Sequence, residues 1–165
     1  MIVVADTSPL NYLIQINCES LLSALYERVL IPNVVLTELG NPNAPATVKH
    51  WLSHVPEWIE VGRTAADPDA GLSFLDPGER EAIQLAQERR ADLLLIDERR
   101  GRLEAMRRGL ATTGTLGVLL TSAERGLVDA EASYYRLMYE TNFRSTPLLQ
   151  RSFLQQARDL PKQSD

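Results

Sequence analysis

The sequence predicts an α/β fold, a three-layer α/β/α domain around a central parallel sheet of four to five strands. Short apolar runs alternate with helical patterns along the chain, which is the order of elements typical of a parallel sheet covered on both faces. The run at residues 93–96 is continuously apolar, as expected for a strand buried on both sides. A chain of 165 residues is also long enough to enclose a substantial core.

The composition excludes several classes of protein. Apolar residues make up 44% of the chain, and no apolar run approaches the roughly 18–20 residues that a membrane-spanning helix needs. The opening apolar stretch is too short for a signal peptide, so we predict no membrane partner. Cys18 is the only cysteine, which excludes an intrachain disulfide and favours the cytoplasm. The net charge of −5 argues against general nucleic-acid affinity, but it leaves room for a local basic patch.

In the first part of the chain, residues 2–5 form the first predicted strand. Ser8 is a good helix N-cap with Pro9 at the first helical position, so a helix is predicted over 9–16. A second helix covers 19–26 and a second strand covers 29–31. Pro32 then opens a helix that ends at Gly40.

The rest of the chain continues the alternation. Asp76 begins a strong helix that runs to about Arg90, and Gly109 ends a later one. We expect a single domain over residues 1–158 and a flexible tail over 159–165. The further predicted elements are a helix at 46–54, an extended segment at 58–61, a loop at 62–75, strands at 93–96 and 111–113, and helices at 98–108, 115–125, 130–141 and 146–158.

Two acidic residues near the start of the chain lack a simple structural role. Asp6 directly follows the first strand, and Ser8 already provides the cap for the next helix. Glu38 lies in the last turn of a predicted helix, where a carboxylate opposes the helix dipole. The alternative for Glu38 is an ordinary solvated surface side chain.

Two further acids occupy comparable places. Glu79 forms a predicted capping box with Asp76, yet it also begins the apolar stripe of its helix and so lies at the rim of the core. Glu81 points to a different side of that helix and is the alternate. Asp97 directly follows a strand, as Asp6 does, and would otherwise cap the next helix, with Glu98 as its alternate.

These four carboxylates could converge at one edge of a parallel sheet, where open α/β folds build their sites. Like charges placed close together repel one another, and divalent cations relieve that repulsion. Hard oxygen ligands suit Mg²⁺ or Mn²⁺. A metal bound there would activate water for phosphodiester hydrolysis. The pattern therefore predicts a metal site built from Asp6, Glu38, Glu79 and Asp97.

Several motifs together resemble the PIN-domain family, the fold of the VapC-type toxin ribonucleases. VVADTSPL at residues 3–10 looks like the first acidic motif of that family, and PNVVLTEL at 32–39 is similar to the second. GEREAIQLA at 78–86, followed by LLID at 94–97, resembles the third and fourth. TGTLGVLL at 113–120 and RGL at 125–127 resemble a little-characterised branch described as nucleic-acid-binding. The likeness covers residues 1–128 and extends to NFR at 142–144.

The resemblance implies a Mg²⁺- or Mn²⁺-dependent endoribonuclease with an RNA substrate, a homodimer that a small antitoxin protein holds inactive. The metal-binding roles carry over to Asp6, Glu38, Glu79 and Asp97. Glu79 stands where many relatives have aspartate, and the fourth motif reads Ile96-Asp97-Glu98 instead of Thr-x-Asp or Thr-x-Asn. These departures motivate the alternative, a catalytically weak or inactive PIN scaffold that binds nucleic acid or a protein partner. A phosphatase that acts on a small phosphoester is a weaker option.

Other polar residues are open to two interpretations. Ser8 could contact substrate, although a capping role is favoured. An arginine cluster surrounds the fourth motif, and its members either lie on solvated helix faces with Glu98 and Glu104 or position phosphates of the substrate. Arg99 and Arg102 are the nearest candidates for phosphate binding. The cluster comprises Arg89, Arg90, Arg99, Arg100, Arg102, Arg107 and Arg108.

Two remaining patterns favour structural roles. His50 and His54 have the spacing of a zinc pair, but their helix lacks the glutamate of a metalloprotease motif. Tyr134, Tyr135 and Phe143 are expected to pack the C-terminal helices or to form a dimer surface.

Overall fold

Five parallel strands form the central sheet of the structure, a computed structural model that describes residues 1–161. The strands are β1 (Val3–Ala5), β2 (Val29–Pro32), β3 (Ile59–Gly62), β4 (Leu93–Leu95) and β5 (Thr112–Thr113). They lie in the order β3-β2-β1-β4-β5, and every neighbouring pair is parallel. The predicted three-layer fold with a parallel sheet of up to five strands is confirmed.

Helices cover both faces of the sheet. Alternate residues of each central strand point to opposite sides, so Val3 and Ala5 enter one core and Val4 enters the other. The helices are α1 (Thr7–Gln15), α2 (Ser20–Tyr26), α3 (Asn33–Leu39), α4 (Ala46–Ser53), α5 (Pro77–Glu88), α6 (Arg99–Arg107), α7 (Thr115–Glu124), α8 (Ala130–Glu140) and α9 (Pro147–Arg158). The Val4 side is covered by α5 and α6, and the remaining helices supply the core on the Val3 side.

The order of the strands determines where a site can form. The chain runs outward from β1 through β2 to β3 and then returns to place β4 on the other side of β1. Val3, Val4 and Ala5 of β1 are in register with Leu93, Leu94 and Leu95 of β4. The connections that leave β1 and β4 therefore diverge at the carboxyl edge of the sheet, which opens a crevice there.

Two predicted helix starts are wrong. Ser8 is not an N-cap, because Asp6 keeps an extended backbone (φ −79°, ψ 172°) and α1 already begins at Thr7. Pro9 is tolerated because the N–H groups of a first turn have no partner within the helix. Pro32 does not open α3 either, since it ends β2 with an extended ψ of 150° and occupies the N-cap position.

The last helix, α9, ends at Arg158. Most of the predicted tail, residues 162–165, lies outside the described residues. Within residues 1–161, the helices all fall short of the length and apolar character needed to cross a membrane.

The segment predicted as a loop at 62–75 contains a 3₁₀ turn, Ala70–Leu72. Two side chains of α5 form hydrogen bonds with the backbone of this segment. The Gln84 amide donates to the carbonyls of Ala66 (3.1 Å) and Asp67 (3.0 Å) and accepts from the Asp69 N–H (3.2 Å). The Glu88 carboxylate accepts from the backbone N–H of Ala65 at 2.7 Å. These bonds fix the segment that leads into the first turn of α5.

We expect Gln84→Ala to loosen this segment without unfolding the domain, because a buried amide that satisfies three backbone groups is lost. The measurement is the rate of tryptic cleavage after Arg63, which should rise severalfold. Gln155→Ala, which removes an amide from the exposed face of α9, is the control and should leave that rate unchanged. Equal rates for the two variants would show that Gln84 does not anchor the segment.

Candidate active site

Asp6 lies at the centre of the crevice. It follows β1, the middle strand, and its backbone N–H donates to the Leu95 carbonyl of β4 at 2.9 Å. Only 3% of the residue is exposed. Although Asp6 stands at the N-cap position of α1, its side chain forms no capping hydrogen bond. The side-chain atom Oδ1 is buried and has no partner in the structure of residues 1–161.

Glu38 meets Asp6 at the start of α5. The Gly78 N–H donates to Glu38 Oε1 at 2.9 Å, and the Thr7 hydroxyl donates to Glu38 Oε2. A β-carbon placed on Gly78 would lie 2.5 Å from Glu38 Oε2 and 2.8 Å from Asp6 Oδ1. The two carboxylate oxygens therefore converge on one point that only glycine leaves open. Glu38 is thus a bound member of the crevice and not the solvated side chain of the alternative interpretation.

Glu79 approaches the same region from the first turn of α5. The predicted capping box is confirmed, and the Asp76 N–H donates to Glu79 Oε2 at 3.1 Å. Gly101 of α6 comes close on the other side, since a β-carbon there would lie 3.3 Å from Glu79 Oε1. Glu79 is only 6% exposed, and burial raises the pKa of its carboxyl. The nearby charges of Asp76 and Glu98 raise it further.

Asp97 reaches the crevice from the end of β4, but it does not cap α6 as the alternative interpretation supposed. Its Oδ1 accepts from the Thr115 N–H and its Oδ2 from the Thr115 hydroxyl, both at 2.7 Å. Asp97 therefore secures the first residue of α7, while Glu98 takes the N-cap position of α6 without a capping bond. Burial raises the pKa of the Asp97 carboxyl, and the charge of Arg102 acts against that increase.

The four acids influence one another through Asp6. Burial raises the pKa of Asp6 to about 8, and the charges of Glu79, Glu38 and Asp97 add to the increase. An Asp6 with such a pKa holds a proton at neutral pH unless a cation takes the proton's place. Glu81, the alternate to Glu79, lies partly exposed on α5 and is not among the charges that act on Asp6.

The carboxylates of the crevice fit a hard divalent cation that takes few ligands from the protein. In the part of the chain that the structure describes, no three His, Cys, Asp or Glu side chains are arranged to hold one ion together. Mg²⁺, however, is usually bound by one or two carboxylates, and waters and substrate phosphates complete its shell. Asp6 Oδ1, which is buried and unpartnered, and Glu38 Oε2 beside it offer such a pair. The residues that would hold the ion are therefore Asp6 and Glu38, with Glu79 and Asp97 at the border.

The residues predicted to bind substrate lie together next to these acids. A cavity of about 400 Å³ is lined by Ser8, Arg99 and Arg102 together with Asp97 and Glu98. Other arginines of the predicted cluster have structural partners: Arg107 and Arg108 pair with Glu104, and Arg100 lies over the Phe74 ring and donates to its carbonyl. Two members of the cluster, Arg99 and Arg102, therefore line the cavity, whereas Arg100, Arg107 and Arg108 have structural partners.

Some residues of the site have no clear signal in the sequence. Thr115 follows a glycine in what reads as a plain turn, yet it fixes both oxygens of Asp97. Gly78 does have a signal, because glycine is a poor choice in a first helical turn unless a close approach requires it. Tyr12 and the segment 142–144 also line the cavity, so Phe143 is more than packing for the C-terminal helices. Tyr134, in contrast, is buried and stacks on Phe153, as expected for packing.

The histidine pair lies elsewhere. His50 and His54, with ring centroids 6.0 Å apart, line a separate pocket beside Trp51. No third ligand completes a metal site there among residues 1–161.

We predict that Asp6→Asn stabilises the metal-free protein increasingly as pH rises. The folded-state pKa of about 8 lies above the unfolded value, so the wild type loses stability as pH rises through that range. The loss is up to about 1.4 kcal/mol per pH unit between roughly pH 4 and 8. The measurement is the free energy of unfolding by urea in the presence of chelator, with the exposed Asp67→Asn as control. The prediction is wrong if the difference in free energy of unfolding between the wild type and Asp6→Asn stays constant over this pH range.

Gly78→Ala should destabilise the protein by about 1–3 kcal/mol, because the new methyl group would enter the space between Asp6, Glu38 and Thr7. Gly71→Ala is the matched control, since its β-carbon would meet side-chain atoms of Arg108 and Asp69 at 3.1 Å and would not enter the crevice. Thermal unfolding compares the two variants. A Gly78→Ala variant as stable as Gly71→Ala would mean that the space at Gly78 can be filled freely.

A comparison with known proteins identifies a family for this chain. A family model described as PIN domain matches residues 2–159, nearly the whole chain. No curated protein and no solved structure matches it. PIN domains are typically nucleases, and an acidic crevice at the carboxyl edge of a parallel sheet suits that chemistry. The chain belongs to the PIN-domain family and has a nuclease-type fold.

Proposed function

We propose that the protein is a Mg²⁺- or Mn²⁺-dependent endoribonuclease that hydrolyses RNA phosphodiester bonds. The observation that supports this best is the convergence of Asp6 Oδ1, buried and unpartnered, with Glu38 Oε2 beside Gly78. A buried carboxylate oxygen without a donor is costly, and a divalent cation would satisfy it. The PIN-domain membership supports hydrolysis of nucleic acid as the reaction.

The surrounding residues have distinct roles in this proposal. Asp6 and Glu38 bind the ion, and the Thr7 hydroxyl and the Gly78 N–H orient the Glu38 carboxylate. When bound, the ion lowers the pKa of a water ligand and stabilises charge on the leaving oxygen.

On the substrate side, Asp97 is held by Thr115 at the mouth of the cavity. Arg99 and Arg102 lie beside it and position the phosphates of the RNA, since they carry the charge that phosphate contacts require.

The biological role follows from the resemblance to VapC-type toxins. We propose a cytoplasmic toxin, homodimeric and held inactive by a small antitoxin protein. The single, buried Cys18 fits a reducing compartment. Growth arrest on expression of the wild type, but not of Asp6→Asn, would support the toxin role.

The second candidate is a PIN scaffold that binds nucleic acid without cleaving it. It is favoured by the structural use of Glu79 and Asp97, whose carboxylates accept hydrogen bonds from the Asp76 N–H and from Thr115. Tight RNA binding that chelator does not change, with no cleavage in Mg²⁺ or Mn²⁺, would favour this candidate over the nuclease.

We expect the wild type to cleave single-stranded RNA in Mn²⁺ or Mg²⁺, and Asp6→Asn to reduce cleavage to background because the neutral amide cannot replace the anionic ligand. The assay is the initial rate of cleavage of a labelled RNA, with chelator as a further control. Glu81→Gln, an acid-to-amide change on α5 outside the crevice, should keep the wild-type rate. Equal rates for wild type and Asp6→Asn would refute the metal mechanism.

Thr7→Val should lower the cleavage rate roughly 10- to 100-fold, the usual effect of removing a hydrogen bond that orients a metal ligand. The apparent affinity for Mn²⁺, measured from the dependence of rate on its concentration, should fall with it. A Thr7→Val variant with unchanged metal affinity would show that the hydroxyl does not hold Glu38 for the ion.

A further inference from the structure

The cavity beside Asp97 has a second wall that plays no part in the metal site. This wall is the segment 142–144, which connects α8 to α9 and faces Tyr12 of α1. Asn142, Phe143 and Arg144 all line the cavity, whose volume is about 400 Å³. Such a volume falls in the range of small-ligand sites and can take one nucleotide unit.

The wall presents an aromatic surface. The rings of Tyr12 and Phe143 meet edge to face, with centroids 5.1 Å apart and an angle of 82° between their planes. Both residues are only partly buried, so ring surface remains available at the cavity. Aromatic side chains in such a position bind unpaired bases by stacking, whatever the base.

The segment is fixed on both sides before any ligand binds. The Phe143 N–H donates to the Thr141 hydroxyl oxygen at 3.0 Å, and that hydroxyl donates to the Leu137 carbonyl at 2.6 Å. On the other side, the hydroxyl of the buried Tyr134 donates to Ser145 Oγ at 3.0 Å. Little conformational entropy would therefore be lost when a ligand enters.

Three guanidinium groups surround this aromatic surface without protein partners. Arg99, Arg102 and Arg144 line this cavity and form no ion pair or side-chain hydrogen bond with any other residue of 1–161. Because they outnumber Asp97 and Glu98, the two acids that line the same cavity, the cavity is locally basic on a chain with a net charge of −5. Phosphate groups on either side of a bound base supply such anions.

We propose that this cavity binds one unpaired nucleotide of the RNA and so restricts the enzyme to single-stranded substrates. The base stacks on Phe143, and the nearly perpendicular ring of Tyr12 supports the Phe143 ring. The Asn142 amide contacts the edge of the base, and Arg144 and Arg102 contact the flanking phosphates. A base held in a duplex cannot enter, because its faces are covered by its neighbours. The inference rests on the proposed nuclease function, which places the scissile bond next to this cavity at Asp6 and Glu38.

The test measures binding of a fluorescein-labelled single-stranded RNA by anisotropy, with every variant made in the Asp6→Asn background so that no cleavage intervenes. Phe143→Leu keeps an apolar side chain at this position and removes the ring. We expect it to lower affinity about tenfold or more, the usual effect of losing one stacked base. Tyr139→Leu, which removes an aromatic ring that is 84% exposed on α8, is the matched control and should bind like the parent.

The role of the cavity arginines is tested by the same binding measurement. Arg144→Gln should weaken binding and lower the slope of log affinity against log salt by about one. Arg28→Gln, at the opposite edge of the sheet before β2, should change neither quantity. A duplex of the same sequence should bind at least about tenfold more weakly than the single strand, because its bases remain stacked.

Three results would overturn the proposal: Phe143→Leu binding as tightly as Tyr139→Leu, equal affinity for duplex and single strand, or no binding of single-stranded RNA. Failure of the nuclease function would look different. In that case wild type would not cleave in Mn²⁺ while the binding differences at Phe143 and Arg144 persist. Normal cleavage with an unchanged KM for Phe143→Leu would instead reject the nucleotide cavity alone.

Discussion

The position of β1 in the middle of a parallel sheet controls the chemistry of this protein. Strands on both sides shield the end of β1, so the carboxylate that follows it is withdrawn from water. Because β4 returns to the side of β1 opposite β2, a second acid-bearing strand end arrives beside Asp6. A sheet with β1 at its edge would leave Asp6 solvated, and the pKa of its carboxyl would not be raised by burial.

Crowding four carboxylates around one crevice is unfavourable, and the structure offsets the repulsion with local donors. Glu38, Glu79 and Asp97 each accept hydrogen bonds from backbone N–H groups, and two of them also accept from a threonine hydroxyl. Within residues 1–161, Asp6 Oδ1 is the one oxygen of these four carboxylates that is buried without a hydrogen-bond partner. The donors therefore leave Asp6 as the one acid of the four that has a buried oxygen without a partner, and Glu38 lies next to it. This asymmetry suits a cation that prefers few protein ligands.

Much of the fold could be predicted from the sequence because its signals are local. Apolar runs predict β1, β2 and β4, and an acid after a strand end predicts the edge of the sheet where it lies. The errors arose where the decisive partner is distant or where the backbone conformation decides. Ser8 looked like a cap, but Asp6 alone has the extended backbone that precedes α1. Asp97 is bonded to a residue 18 positions away, and Glu38 to one 40 positions away, so neither role was readable from neighbouring residues.

The two halves of the site depend on different parts of the chain. The acids lie at strand ends and in helices that precede residue 98, whereas the outer wall of the cavity comes from the junction of α8 and α9. That wall is held by packing among C-terminal side chains, such as Tyr134 on Phe153 with ring centroids 5.2 Å apart, and not by the sheet. If the cavity binds a nucleotide as proposed, a change at residues 142–144 would alter which nucleotide is accepted while Asp6 and Glu38 stay in place. Selectivity and hydrolysis would then be separable, because the outer wall and the acids belong to different elements.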